Sequence, residues 1–237
     1  MSLKPTLFAA LLLALFALPA RAQSQTTQKD PPAPPAPAAA AAAKPAAQDQ
    51  AQKDAAYEAL LKKLKGGDRA VDFKELRMAY AESSGYSPYG GDREARQAMF
   101  AAMRAKEWDE ALKQSAKILE KNYVDINAHF GAFVANDRKG VTDKADFHKF
   151  VLEGLVNSIR DSGDGKGADK AFVVISTDEE YALLNFLGLR PASQALINKG
   201  GHSYDMLTAV DPKTNEKQDV YFNIDKPFGW LGNSLKH

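Results

Sequence analysis

The sequence contains no cysteine, and this absence removes several classes of chemistry at once. Disulfide bonds, thiolate nucleophiles and cysteine-ligated zinc sites are all excluded. A lipid anchor attached at a signal-peptide cleavage site also requires a cysteine, so we do not expect a lipoprotein. Stability must therefore come from a packed core, and any catalysis from other side chains.

Excess charge of one sign is also missing. The chain has 31 Lys and Arg against 30 Asp and Glu, which gives a formal net charge of +1. Nucleic-acid binding normally requires a clustered basic surface that neutralises phosphates. Because the sequence has no basic stripe, we expect no nucleic-acid partner.

Histidine is scarce, with four residues in the whole chain. None of them occurs in an H-x-x-x-H or H-E-x-x-H pattern, the spacings that place two metal ligands on one helix face. A site built from His129, His148 and Asp146 would depend on the tertiary fold, and structural or solvent-facing histidines are the commoner case. We therefore predict no metal, no cofactor and no catalytic residue.

The first 22 residues have the features of an export signal. Lys4 supplies a positive charge, LFAALLLALFAL (residues 7–18) an apolar stretch, and Ala20-Arg21-Ala22 a small-residue cleavage site. The apolar stretch is shorter than the roughly 20 residues that span a bilayer. We predict a removed signal peptide over residues 1–22 and a bacterial periplasmic or secreted protein without later membrane insertion. An uncleaved anchor is the alternative.

Residues 23–53 are rich in proline and alanine, including the run DPPAPPAPAAAAAAKPAAQDQAQ. Such composition lacks the apolar variety needed for a core and is typical of spacers. We predict a disordered linker, and a proline-rich ligand for a partner is the alternative.

Residues 54–162 show the apolar periodicity of amphipathic helices. The pattern predicts two early helices, in KDAAYEALLKKLKGG with Asp54 as N-cap and in DFKELRMAYAES with Asp72 as N-cap. Four more are predicted over residues 93–105, 108–122, 126–138 and 143–161, with Asp92, Asp125 and Thr142 as N-caps.

Ala111 and Ala145 occupy equivalent positions 34 residues apart, which is the period of tetratricopeptide helical hairpins. A small residue there lets the two helices of a hairpin approach closely. We interpret the region as two degenerate tetratricopeptide-like antiparallel hairpins. Four ordinary amphipathic helices are the alternative.

Residues 163–237 change to strand-like patterns. AFVVIST (171–177) is short and β-branched, and Thr177 with Glu180 has the spacing of a capping box for the following helix. SYDMLTAV and KQDVYFNID flank DPKTNE, which has turn chemistry. The order predicts a small C-terminal β-α-β-β sheet packed on the helices, so the expected fold class is α+β.

RMAYAESSGYSPYGG (residues 77–91) concentrates tyrosines with charged residues and glycines. It either lines a binding pocket or forms a corner between two helices. A helix stop at Gly85 and the extended backbone that Pro88 imposes favour the corner. The candidate binding residues are Arg77, Tyr80, Glu82, Tyr86 and Tyr89 in this segment, with His202 and Tyr204 in GHSYD.

FKELRMAYAESSGYSPYG, ILEKNYVDINAHF, SGDGKGADKAFVVISTDEEYALL and YDMLTAVDPKTNEKQDVYFNID together resemble one exported bacterial family. It is the domain-of-unknown-function family numbered 4919, and the resemblance covers about residues 57–231. It implies a secreted helical-repeat-like protein with a C-terminal α/β part. It implies no activity, and no catalytic residue is carried over.

The pattern favours a non-catalytic binding module of the cell envelope over an enzyme. Helical hairpins present a concave face to a protein or peptide partner, and a sheet edge can accept an extended peptide. One alternative is a hydrolase with a site near His202 and Asp205, which a closed pocket holding a histidine against a carboxylate would favour. The other alternative is a purely structural envelope protein.

Overall fold

The computed structural model describes residues 38–89 and 91–234. The predicted signal peptide and the first part of the predicted linker lie outside the described residues. The described helices are α1 (Ala38–Lys65), α2 (Phe73–Glu82), α3 (Arg93–Ala105), α4 (Trp108–Lys121), α5 (Ile126–Arg138), α6 (Thr142–Arg160), α7 (Thr177–Phe186) and α8 (Asp225–Ser234). The strands are β1 (Phe172–Val173), β2 (Arg190–Lys199), β3 (His202–Val210) and β4 (Lys217–Asn223).

Helix α1 begins at Ala38, within the segment predicted to be a linker. Alanine has the highest helix propensity of all residues, which favours this extension. The Gln50 side chain donates to the Glu82 carbonyl at 3.0 Å. Asp54, predicted as an N-cap, lies inside the helix and accepts from the Ser84 backbone N–H at 2.7 Å. The last part of the predicted linker is therefore helical and contacts the fold.

Helices α3 and α5 have the predicted bounds, and α4 and α6 differ from prediction by one residue at their ends. Asp92 and Asp125 cap α3 and α5, because their carboxylates accept from backbone N–H groups in the first turn. The prediction for Thr142 is wrong. Val141 occupies the cap position of α6 without a side-chain bond, and Thr142 already lies inside the first helical turn.

Helices that follow one another in the chain pack together, with α4 against α3 and α5, and α6 against α5. Ala102, Ala111 and Ala135 form a buried cluster at the centre of this packing, and Trp108 packs against it. Small side chains here allow the helix axes to approach closely. Ala145 is also buried, so both alanines of the predicted repeat lie in helix contacts.

The C-terminal sheet has four strands in the order β1-β4-β3-β2. Strand β1 pairs with β4 in parallel, whereas β4 with β3 and β3 with β2 are antiparallel. The strands predicted from the sequence are β1, β3 and β4, and the fold class is α+β. Strand β2 was not predicted, because PASQALIN contains proline and lacks alternation of apolar and polar residues.

The start of α7 lies one residue earlier than predicted. Ser176 is the N-cap and its hydroxyl accepts from the Glu179 N–H, whereas Thr177 is the first helical residue. The predicted turn between β3 and β4 is present, with Asn215 in the left-handed conformation at φ 59°. Near the C-terminal end of the described chain, Trp230 of helix α8 packs against the core and Phe228 remains exposed.

One continuous core joins the helices to the sheet. It contains fully buried side chains from both parts, among them Leu64, Leu76, Leu155, Leu183 and Phe222. The sheet therefore packs directly on α6 and α7. Over the described residues, no helix combines the length and the apolar content that crossing a membrane requires.

Candidate functional site

Arg77 is a buried structural residue in this fold. Its guanidinium donates from Nε and Nη2 to the Glu179 carboxylate at 2.8 and 2.6 Å. Further bonds reach the Ser158 hydroxyl and the Val173 carbonyl. The side chain is 1% exposed, so it cannot rim an open groove. It fixes α2 to α6, β1 and α7 instead.

Tyr80 and Tyr86 are also buried, with their rings edge-to-face at 5.7 Å between centroids. The Tyr86 hydroxyl donates to the Ile175 carbonyl at 2.6 Å. Burial raises the pKa of the Tyr80 phenol to about 12 and raises the pKa of Tyr86 as well, so both phenols remain protonated. These contacts make the end of α2 and residues 83–89 a corner on the way to α3.

Glu82 and Tyr89 are the two candidate residues of this corner that reach solvent. The Glu82 carboxylate pairs with Lys226 of α8 at 2.5 Å. The Tyr89 ring lies 6.1 Å from the Trp230 ring, also in α8. Helix α8 therefore packs against this corner through Lys226 and Trp230. A binding role for Glu82 and Tyr89 stays a prediction.

Two cavities flank the corner. One of about 450 Å³ lies between α1 and α4 and has Tyr57, Tyr80 and Tyr123 in its walls. The other, of about 360 Å³, lies where Asp92, Asp125 and Ser176 cap α3, α5 and α7. Both contain carboxylates, and Lys121 lines both cavities. Since charges of both signs line them, neither cavity defines a single class of ligand.

The segment GHSYD does not bring His202 and Asp205 together. His202 Nδ1 lies 2.6 Å from Asp225 Oδ2, and both side chains are solvent-exposed. Asp205 is three residues along β3 and therefore points to the opposite face of the sheet. Its carboxylate accepts from Gln194 Nε2 at 2.7 Å. Tyr204 is buried. The geometry of a histidine–carboxylate pair inside a pocket is thus not formed by these residues.

Glu180 is a buried acid that the sequence did not single out as one. Its side chain is fully buried, and no donor bonds to either carboxyl oxygen among the described residues. The neighbouring group is the Asp205 carboxylate, to which the protonated acid donates. Burial, followed by the charges of Asp205, Glu179 and Asp178, raises the pKa of Glu180 to about 9. The group is therefore neutral at pH 7.

His129 and His148 contact each other through their Nδ1 atoms at 3.0 Å. His129 Nε2 lies 2.9 Å from the Tyr123 carbonyl and must donate to it, so its Nδ1 accepts from His148 Nδ1–H. Burial lowers the pKa of His129 to about 3 and that of His148 to about 4. Across residues 38–89 and 91–234, no cluster of three or more metal-ligating side chains is found.

An apolar groove lies on the face formed by α3, α5 and α7. Its cavity of about 280 Å³ is lined by Phe100 of α3, Asn127 and Phe130 of α5, and Ala182, Asn185 and Phe186 of α7. Phe130 and Phe186 are exposed, which is unusual for such large apolar side chains. We call these six residues the inner-face groove. None of them is ionisable.

Sequence reasoning missed the inner-face groove. A local signal does exist, because Gln97-x-x-Phe100 and Asn127-x-x-Phe130 repeat an amide three residues before a phenylalanine on two helices. That spacing places both residues on one helix face. It does not reveal that the two faces are exposed and adjacent.

These elements define an α+β protein in which helical hairpins and a small C-terminal sheet share one core and leave an apolar groove open. The chain belongs to the family described as Domain of unknown function (DUF4919), whose model matches residues 44–230. This family is the one that the sequence resembles. Comparison with curated proteins and with solved structures gives no match.

Proposed function

We propose that this protein is a non-catalytic binding module of the cell envelope whose inner-face groove binds a peptide or a segment of a partner protein. The observation that carries the proposal is the convergence of Phe100, Phe130 and Phe186 from three helices onto one open cavity. A contiguous apolar surface that a folded chain leaves exposed typically marks an interaction site.

The groove's chemistry supports an uncharged peptide segment with a large apolar side chain. Its volume of about 280 Å³ lies just below the range of small-molecule pockets, about 300–1,000 Å³, and suits one or two side chains. Asn127 and Asn185 provide amide donors and acceptors for a peptide backbone. Because no lining residue is ionisable, a charged ligand would lose its hydration without compensation.

The test is selection of peptides from a displayed random library on the purified protein, followed by affinity measurement. We expect enrichment of sequences with an aromatic or branched aliphatic residue. Phe130→Ser and Phe186→Ser should abolish their binding, and both side chains are exposed, so the fold should persist. Leu231→Ser is the matched control, since Leu231 is an exposed apolar residue of α8.

Peptides that bind Phe130→Ser and Phe186→Ser as well as the original chain would contradict a role for the groove. Failure to enrich any sequence would favour a purely structural envelope protein. Hydrolysis of a selected peptide that His202→Ala abolishes would instead support the hydrolase alternative.

Export is part of the same proposal. Lys4, the apolar residues 7–18 and the Ala20-Arg21-Ala22 site support removal of a signal peptide. The prediction is a mature N-terminus at Gln23, measured by mass spectrometry of protein recovered from the envelope fraction. Recovery of the intact N-terminus from the cytoplasm would contradict it.

A further inference from the structure

Strand β2 is an edge strand with an unusual degree of exposure. It pairs with β3 on one side and has no strand on the other within the described part of the chain. All its residues except the partly buried Ile197 are exposed, so both of its faces meet solvent. An unpaired edge of this length is a template for another strand, and proteins usually block such edges.

The features of β2 that hinder pairing with another strand, a proline and a β-bulge, lie only in its first residues. Pro191 cannot donate from its nitrogen, and the pairing with β3 shifts register between Pro191 and Ser193, which marks a bulge. From Ser193 to Lys199 the register with β3 is continuous. These seven residues form a regular and open edge with one charged residue, Lys199 at its end.

Leu196 is the midpoint of this seven-residue edge and the most exposed large apolar residue described, at 53%. A two-fold axis through Leu196 would pair Ser193 with Lys199, Gln194 with Asn198, and Ala195 with Ile197 of a second copy. Apolar residues then face apolar residues and amides face amides. Asn198 Oδ1 already accepts from the Ser203 hydroxyl, and within its own chain Gln194 accepts from Tyr181 and donates to Asp205. The Asn198 amide N–H groups can therefore donate to the second lone pair of a facing Gln194 Oε1.

The neighbouring registers are less favourable. Because directly opposed side chains lie on the same face of a sheet, the two-fold axis must pass through a residue, and the neighbouring axes pass through Ala195 and Ile197. An axis through Ile197 would set Leu196 against Asn198 and Ala195 against Lys199. An axis through Ala195 would set Gln194 against Leu196. The open edge is therefore complementary to itself in one register, in which the regular segment pairs with its own full length.

We propose that two copies of this chain associate through antiparallel pairing of residues 193–199 of β2, with Leu196 on the two-fold axis. The two sheets then form one continuous sheet of eight strands. The interface is isologous, as most homodimer interfaces are. The proposal is independent of the inner-face groove, because none of the groove residues belongs to β2.

The lack of cysteine in the chain makes a direct test possible. In an antiparallel pair, directly opposed residues have Cα atoms about 4.5 or 5.5 Å apart, and both distances fit a disulfide. Leu196→Cys should therefore give a disulfide-linked dimer under mild oxidation of the whole chain. Ile197→Cys is the control, since its counterpart in the second copy lies two residues further along the paired strand, about 7–8 Å away and outside disulfide distance.

A mixing experiment fixes the register. Ser193→Cys and Lys199→Cys should each stay monomeric on a non-reducing gel but form a mixed disulfide when combined, because the proposal places them opposite one another. Without oxidation, light scattering should give twice the chain mass for the original protein and the single-chain mass for Leu196→Lys.

Three outcomes would overturn the proposal. These are a single-chain mass for the original protein at every concentration, equal crosslinking of Leu196→Cys and Ile197→Cys, and no mixed disulfide in the combined sample. The first, together with binding of an extended peptide that Leu196→Lys abolishes, would assign the edge to a peptide partner instead of a second copy.

Discussion

Arg77 and Glu179 form a buried, two-bonded ion pair although 102 residues separate them in the chain. The same carboxylate accepts from the Ile175 N–H at 2.8 Å. One ion pair thus connects α2 with α7, and its carboxylate also binds the loop that leads from β1 into α7.

Removal of Arg77 from this ion pair should lower the stability of the fold strongly. Arg77→Ala leaves the Glu179 charge buried without its counter-ion, and such losses cost about 3–5 kcal/mol of unfolding free energy. Urea denaturation measures this difference. Lys226→Ala, which removes the exposed pair with Glu82, serves as the control and should cost about 1 kcal/mol or less. Similar midpoints for the two variants would contradict a structural role for Arg77.

Loss of the hydroxyl should lower stability at Tyr86 but not at Tyr89, the exposed tyrosine of the same corner. Tyr86→Phe removes the hydroxyl that satisfies the Ile175 carbonyl and should cost about 1 kcal/mol of stability. Tyr89→Phe should have no measurable effect, because its ring is exposed and no hydrogen bond of its hydroxyl is described. Thermal unfolding of both variants checks the prediction, which an equal loss in the two would refute.

Glu180 should make stability depend on pH. The pKa of Glu180 is about 9 in the folded chain, against an ordinary value of 4.5 that applies to the unfolded chain. Between these two pH values the folded state therefore binds more protons than the unfolded state. Stability from this group is therefore greatest below pH 4.5 and declines as the pH rises toward 9. Glu180→Gln should remove that decline and be more stable than the original at pH 8.

Urea midpoints at pH 4, 6 and 8 compare the two chains, and Glu120→Gln provides an exposed control. The difference in stability between the two chains should grow as the pH rises, because deprotonation of Glu180 becomes more favourable in the unfolded chain while its raised pKa opposes it in the folded chain. A Glu180→Gln variant that loses stability at pH 8 would mean that the carboxylate is charged and paired in the folded state.

Ala111 tests the packing of the helical hairpins. Its side chain is fully buried between Ala102 and Ala135, so Ala111→Leu should force the helices apart and cost about 1–3 kcal/mol. Ala101→Leu, on an exposed position of α3, should have little effect. An unchanged melting temperature for Ala111→Leu would show that the hairpins do not need close approach at this position.

The bounds of α3 and α5 could be read from the sequence because their signals are local. Asp92 and Asp125 cap these helices through bonds to backbone groups three residues away. The apolar periodicity of a helix is likewise visible within a few turns. Strand β2 could not be found in this way, since an edge strand exposed on both faces has no reason to alternate polar and apolar residues.

The sequence by itself determined helices α2 to α7, the turn at Asn215, the lack of cysteine chemistry and the family. Only the tertiary structure decided that Glu179 pairs with Arg77, whereas its neighbour Glu180 is buried beside the Asp205 carboxylate. It also decided that Arg77 is buried, and that Phe100, Phe130 and Phe186 face one groove. The reason is that capping, periodicity and turns depend on residues close in the chain, whereas burial and ion pairing depend on which distant segments pack together.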